Sequence, residues 1–212
     1  MYKITDKCFS ISSLVNIPCI NSAQEYLAGN FKSTYNLDPH ITFAIIPLPE
    51  WNLEKIKNEI DLYFKNKHRI VLKFAELHVD TKNRFFSLNV KNTRIRKLHE
   101  DMLKILERYR EGFIREKDLK RIEKGIYSSA QIYNIMHYGF PRVFQQFHPH
   151  ITIGNITNGH AGIRCVKVKL EEMLGVLTNN EFCLKNVSAF YHSDSIDQSN
   201  MEVFWKRTYD LL

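Results

Sequence analysis

Asp38-Pro39-His40-Ile41-Thr42-Phe43 and, 110 residues later, His148-Pro149-His150-Ile151-Thr152-Ile153 are nearly one phrase written twice. Each reads Pro-His-Ile-Thr followed by an apolar residue. In a β-strand, residues i and i+2 share a face and lie about 6.5–7 Å apart. His40 and Thr42 therefore point one way, and Ile41 and Phe43 the other, toward a core. The same holds for His150 and Thr152 against Ile151 and Ile153. One His-x-Thr on a strand says little. Two copies in matching contexts, each leading a similar β–helix unit, point to a pair of strands built to present two imidazoles and two hydroxyls together. Histidine titrates near neutrality, so one ring can accept a proton while the other donates one. Threonine hydroxyls can hydrogen-bond the non-bridging oxygens of a phosphate and stabilise charge developing there. Such a set requires no metal.

Outward from these phrases the chain alternates strand and helix signals. Residues 8–17 alternate in part and read as a strand closed by Pro18. Asn21 or Ser22 caps a helix to about Tyr35, with Ala23, Tyr26, Leu27 and Phe31 on one face. Residues 40–46 form a strand ended by Pro47 and Pro49. Leu53, Ile56, Ile60 and Phe64 mark the next helix. Residues 69–79 and 84–90 are β-rich and flank Asp80-Thr81-Lys82-Asn83, good hairpin chemistry. Ile95, Leu98, Met102, Ile105, Leu106, Tyr109 and Phe113 mark a third helix. Leu119, Ile122, Ile126, Ala130 and Tyr133 predict a fourth. Beyond it come a strand at 150–156, a helix at 166–177, and strands at 181–191 and 201–209. The pattern predicts an α+β protein of about seven strands and five helices. Its architecture is internally duplicated, with a helical pair between the copies. The expected division is a single bilobal domain over 1–212: lobe one about 1–92, a helical insertion about 93–137, and lobe two about 138–212.

The bulk numbers agree with a compact domain. The 212 residues are 44% hydrophobic and 12% aromatic, with eight Gly and six Pro. That composition leaves no room for a long linker. No stretch approaches the ~20 apolar residues of a membrane span, and Ser12, Ser13, Asn16 and Pro18 interrupt the N-terminal apolar run. Cys8, Cys19, Cys165 and Cys183 are scattered without a Cys-x-x-Cys pair, which favours free thiols in a reducing, cytoplasmic setting. The net charge is +7, and residues 91–124 hold twelve Lys/Arg against seven Asp/Glu. A basic balance favours polyanionic partners, nucleic acid first. Arg94, Arg96, Lys97, Lys104, Arg108, Arg110, Lys117, Lys120 and Arg121 form either a backbone-gripping patch or the solvated face of the inserted helices.

The twin motifs His40–Thr42 and His150–Thr152 resemble those of the 2H phosphoesterase superfamily, the group of 2′-5′ RNA ligase-like proteins and 2′,3′-cyclic nucleotide phosphodiesterases. The resemblance covers most of the chain as layout and is specific at those motifs. It implies a bilobal, pseudo-twofold fold in which two antiparallel sheets line a central groove with helices outside. It also implies phosphoester chemistry without a cofactor. His40 and His150 are then the acid–base pair, and Thr42 and Thr152 the phosphate ligands. The expected substrate is RNA or a nucleotide, most simply a 2′,3′-cyclic phosphate or a 2′-5′ linkage. Signalling nucleotides, or binding without turnover, are the alternatives. Which histidine is base and which acid is open at this level. Tyr35, Phe147, Tyr191 and His192 lie near the motif strands or the last hairpin and are candidates to stack on a base or extend the site. His148 with His150 offers a His-x-His pair but lacks an accompanying acidic or Cys ligand. His137 and His160 read as surface residues. The 93–137 helices are the candidate surface for a protein partner.

Overall fold

A computed structural model describes residues 2–31, 33, 37–91, 93–157, 162–177, 180–194 and 201–212. Among these, β1 (Lys3–Thr5), β2 (Lys7–Leu14), α1 (Pro18–Asn30), β3 (His40–Pro47), α2 (Leu53–Phe64), β4 (Ile70–Asp80) and β5 (Phe85–Lys91) come first. Then follow α3 (Thr93–Arg110), β6 (Phe113–Arg115), α4 (Glu116–Glu123), α5 (Ser129–Tyr138) and β7 (His150–Asn155). The chain ends in α6 (Ile163–Leu174), β8 (Glu181–Leu184), β9 (Asn186–Ser193) and β10 (Val203–Asp210). The fold is α+β, with two four-stranded antiparallel sheets ordered β10-β9-β2-β3 and β7-β5-β4-β8. Each motif strand is the edge of its sheet, next to β2 in one case and β5 in the other. The two edges, β3 and β7, lie against each other.

The sheets do not follow the expected lobes of residues 1–92 and 138–212. Each takes two strands from either side of the helical segment. The crossing is visible at 181–191, expected as one strand. Leu184 and Val187 are both buried although three residues apart, which a period of two does not allow. Lys185 breaks the run. Leu184 closes β8 in one sheet, and Val187 lies in β9 in the other.

Nor is α3 an insertion. Its Ile95, Leu98, Met102, Leu103 and Leu106 lie in the main core, and it packs on β3. It joins β5 to β7 as α1 joins β2 to β3, and α1 packs on β7. Each connecting helix thus covers the other unit's motif strand. The stretch β6–α4–α5 between α3 and the second motif has no counterpart before the first. The fourth expected helix is broken in two: Gly125 adopts φ 64 after α4, and Ser128 with Gln131 forms a capping box that starts α5. Likewise α1 starts at Pro18, in the first helical turn that proline favours, rather than after it. Arg110, expected on the surface, is buried. It donates to the carbonyls of Phe113, Met136 and His137 and pairs with Glu107, tying the end of α5 to α3. Arg115 is also buried, paired with Asp118.

His99 on α3 holds the two motif segments to one another. Its Nδ1–H donates to the Phe43 carbonyl in β3 at 2.6 Å, and its Nε2 accepts the Phe144 N–H at 3.1 Å. Its ring lies flat on Phe147, with centroids 3.8 Å apart, immediately before the second motif. On the other side Gln24 of α1 donates to the Thr152 carbonyl in β7 at 3.1 Å. Both His99 nitrogens are used in ways only the neutral ring allows, and burial pushes its pKa from 6.5 down to about 4. The unfolded chain therefore takes up the proton first as pH falls. The stability carried by neutral His99 is complete above about pH 6.5 and is lost as pH falls toward 4, by about 3 kcal/mol. Urea midpoints measured between pH 7.5 and 4.5 should fall more steeply for the wild type than for His99→Gln. Equal slopes would show that His99 is not held neutral.

Candidate active site

Proline sets the local geometry of both motifs. Asp38 and His148 each precede a proline, which drives them to extended backbone. Their carbonyls then sit beside the histidine two residues on. His40 Nδ1–H donates to the Asp38 carbonyl at 2.8 Å, and His150 Nδ1–H donates to the His148 carbonyl at 2.8 Å. The proline carbonyls are anchored in turn: Pro39 accepts Val15 N–H at 2.8 Å and Pro149 accepts Val90 N–H at 2.9 Å. A carbonyl can only accept, so both rings carry hydrogen on Nδ1 and, when neutral, leave Nε2 as an acceptor.

The hydroxyls are matched as well. Register places Thr42 opposite Ser12 of β2 and Thr152 opposite Ser87 of β5. In each motif strand the next residue, Phe43 or Ile153, is left out of the pairing as a bulge and is buried. The bulge lets the motif face the groove while consecutive apolar residues enter the core. Cross-strand neighbours of this kind have Cβ atoms about 4.5–5.5 Å apart, so each half presents a His-Thr-Ser set. Ser12 and Ser87 were not singled out in the sequence, because only register reveals them.

The halves differ in their surroundings. On the His40 side a cleft of about 340 Å³ runs across β3, β2 and β9 and includes His40, Thr42, Ser10, Ser12, Phe190 and His192. His192 is buried; its Nδ1–H donates to the Ser193 carbonyl and its Nε2 accepts the Ser10 hydroxyl at 2.6 Å. Lys117, from α4, also lines the cleft and pairs with Asp194 at 2.5 Å. His150, like His40, is half-buried. Burial pushes its pKa down, and the charges of Arg142 and His40 add to the effect. β3 lies against β7, so the two motif strands are neighbours.

Of Tyr35, Phe147, Tyr191 and His192, the candidates to extend the site, His192 is the one among the described residues that lines this cleft. Tyr191 alternates to the opposite face and is buried, its hydroxyl near the Leu48 carbonyl. Phe147 is buried against His99. Neither is placed to stack on a ligand. Tyr35 and His160 lie outside the described residues. His137 stacks on Tyr133 at the surface of α5, and His148 is exposed. Among the described residues no helix is long and apolar enough to cross a membrane.

Three solved structures show the same fold. TT0787 of Thermus thermophilus is 10% identical over 95% of this chain and 97% of its own, with a TM-score of 0.60. A crystal structure titled phosphoesterase is 10% identical over 98% and 99%, with a TM-score of 0.53. E. coli LigT complexed with 3′-AMP is 10% identical over 97% and 99%, with a TM-score of 0.50. The shared architecture is the 2H phosphoesterase fold. No curated protein matches the chain. A family model matches residues 50–198, well over half of the chain, and takes in the second motif but not the first. With that match the chain belongs to the family described as protein of unknown function (DUF1045), built on the 2H phosphoesterase fold.

Proposed function

We propose that this protein is a metal-independent phosphoesterase acting on RNA ends or nucleotides, with 2′,3′-cyclic phosphate hydrolysis as its simplest reaction. The observation that carries this reading is the matched pair of His-Thr-Ser sets, each histidine clamped at Nδ1 by the carbonyl two residues back. Thr42 and Thr152, with Ser12 and Ser87 beside them, hold the non-bridging oxygens. His150, which burial disposes to stay neutral, takes a proton from water at Nε2. The water oxygen bonds to phosphorus as the bond to one ribose oxygen breaks. Protonated His40 gives its Nε2 proton to that leaving oxygen, and exchange with solvent resets both rings. His40 takes the acid role because the cleft that can house the ribose and base, and so the departing ribose oxygen, is on its side. The shared fold with LigT, which has been crystallised with 3′-AMP, supports a nucleotide ligand.

A second reading is hydrolysis of small cyclic or 2′-5′-linked nucleotides. The size of the cleft favours it, and so does the state of the basic segment. Lys97, Arg108, Lys117 and Lys120 are paired with carboxylates, and Arg110 and Arg115 are buried. These side chains do not form an open grip for a polyanion.

The deciding assay uses 2′,3′-cyclic nucleotides, a cyclic-phosphate-ended RNA and 2′-5′-linked oligoadenylate, all in EDTA. His40→Ala and His150→Ala should each lower kcat/KM by about 10²–10⁴. Turnover lowered less than about tenfold by either change would sink the two-histidine mechanism, and turnover that needs a divalent ion would refute the metal-free one. Salt-sensitive RNA binding with no turnover would favour a binding module.

The pH profile supplies an independent check. A base pushed below its ordinary value stays neutral at lower pH, so the acid limb of kcat/KM should fall below pH 6.5. A limb at or above 6.5 that remained in His40→Ala would contradict His150 as the base.

A further inference from the structure

The two motif histidines stand opposite unlike neighbours. Across the strand register His40 faces Leu14 of β2, an exposed apolar residue, whereas His150 faces Asn89 of β5. Residues directly opposite in an antiparallel pair share a face, with Cβ atoms about 4.5–5.5 Å apart. The register at His150 is held from both ends: Ser87 opposes Thr152, and the Val90 N–H donates to the Pro149 carbonyl at 2.9 Å. The Asn89 side chain is therefore a fixed neighbour of His150. The proton transfers proposed for the two histidines leave it without a role.

Glu76 decides which way the amide of Asn89 turns. Asn89 Nδ2 donates to Glu76 Oε1 at 3.3 Å, from β5 toward β4 on the side away from β7. The Glu76 carboxyl is held below its ordinary value by its own backbone N–H, by Asn89 and by Lys91, 3.9 Å away. It is therefore an anion near neutral pH and can only accept, so the amide must present its NH2 to β4. The carbonyl Oδ1 is left on the β7 side, toward His150, with lone pairs to offer. Neutral His150 likewise offers a lone pair at Nε2. Two facing acceptors do not bond each other; they call for a molecule with two protons to give. Two hydrogen bonds of about 2.8 Å through one oxygen bridge about 5 Å, which matches the spacing of such a pair.

We propose that Asn89 positions the attacking water, and that the site is built to deliver water rather than an alcohol to phosphorus. One water O–H gives its proton to His150 Nε2 as the oxygen bonds to phosphorus and the bond to the ribose oxygen breaks. The other O–H donates to Asn89 Oδ1 and stays on the new phosphate oxygen. An attacking hydroxyl carries a single proton, which His150 takes, so Asn89 contributes nothing to a transfer that forms a new phosphodiester. The pairing thus favours hydrolysis over transfer to an alcohol. The proposal rests on the phosphoesterase reading, with His150 as the base. It also accounts for Leu14 at the matching place in the other half, because the departing ribose oxygen needs one proton, from His40, and no second partner.

The test is nucleophile partitioning. A nucleoside 2′,3′-cyclic phosphate is turned over in water–methanol mixtures, and the nucleoside phosphate and its methyl ester are quantified by chromatography. Both products come from one complex, so their ratio does not depend on how much of a variant is folded. Asn89→Leu, which copies the His40 side, should lower kcat for hydrolysis about tenfold with little change in KM, the worth of one hydrogen bond. The ratio of hydrolysis to methanolysis should fall by a similar factor. Glu76→Ala, which frees the amide to turn, should shift the ratio severalfold in the same direction. An unchanged ratio in both variants, in a protein that His150→Ala inactivates, would overturn the role of Asn89 and leave the two-histidine chemistry standing. A wild type that turns over no cyclic phosphate would overturn both.

Discussion

A strand at the edge of a sheet has a row of backbone groups without strand partners, and this protein puts both of its His-x-Thr motifs on such edges. The placement leaves the motif side chains uncovered by a neighbouring strand. It also creates a problem, since the outer carbonyls of β3 and β7 face protein interior rather than water. Buried carbonyls without donors are costly, about 1–3 kcal/mol each. The solution is exchanged between the halves. α3 covers β3 and supplies His99 to the Phe43 carbonyl, while α1 covers β7 and supplies Gln24 to the Thr152 carbonyl. Each motif is therefore held by the helix of the opposite unit, and neither can be placed without the other.

This exchange explains why two copies of a short phrase make one site rather than two. Every feature at the motifs is matched: proline before histidine, the carbonyl clamp on Nδ1, the serine opposite the threonine, the bulge after it. The match ends one strand away. On the β3 side the next strands bring Ser10, Phe190 and His192. On the β7 side Asn89 faces His150 across the register, and Glu76 accepts from Asn89. Symmetry at the motifs with asymmetry around them suits the displacement proposed, because attack and departure are alike as proton transfers and unlike as volumes.

The motif phrases made most of this legible. Alternation alone gave the shared face of His40 with Thr42 and the buried partners Ile41 and Phe43, and the repeat gave the second half. The strand-to-strand register was not legible, so Ser12 and Ser87 stayed hidden among many serines. The same blindness let α3 pass for an insertion. Its core face has ordinary helical spacing, and nothing local says that it packs on a strand fifty residues earlier. His99 sits in that face as a polar residue among apolar ones, the single local hint of a bonded role. Tyr191 and Phe147 failed as ligand-stacking residues for a simpler reason. Large aromatics beside a motif have an interior to fill, and both fill it. The Ser128–Gln131 capping box, by contrast, was written in the sequence and marks the break between α4 and α5.

Burial unites what the chemistry requires. His99, His150 and His192 are all pushed below the ordinary histidine value, with removal from water the leading cause in each. For His99 and His192 neutrality is structural, since each uses one nitrogen to donate and the other to accept. His150 makes the same Nδ1 bond at 2.8 Å but belongs to a motif strand whose side chains face the groove. Partial removal from water strengthens the hydrogen bonds made by such groups. It also keeps a neutral imidazole ready to act as a base. Burial thus fixes two of the histidines in structural roles, while the third carries the base role proposed for it.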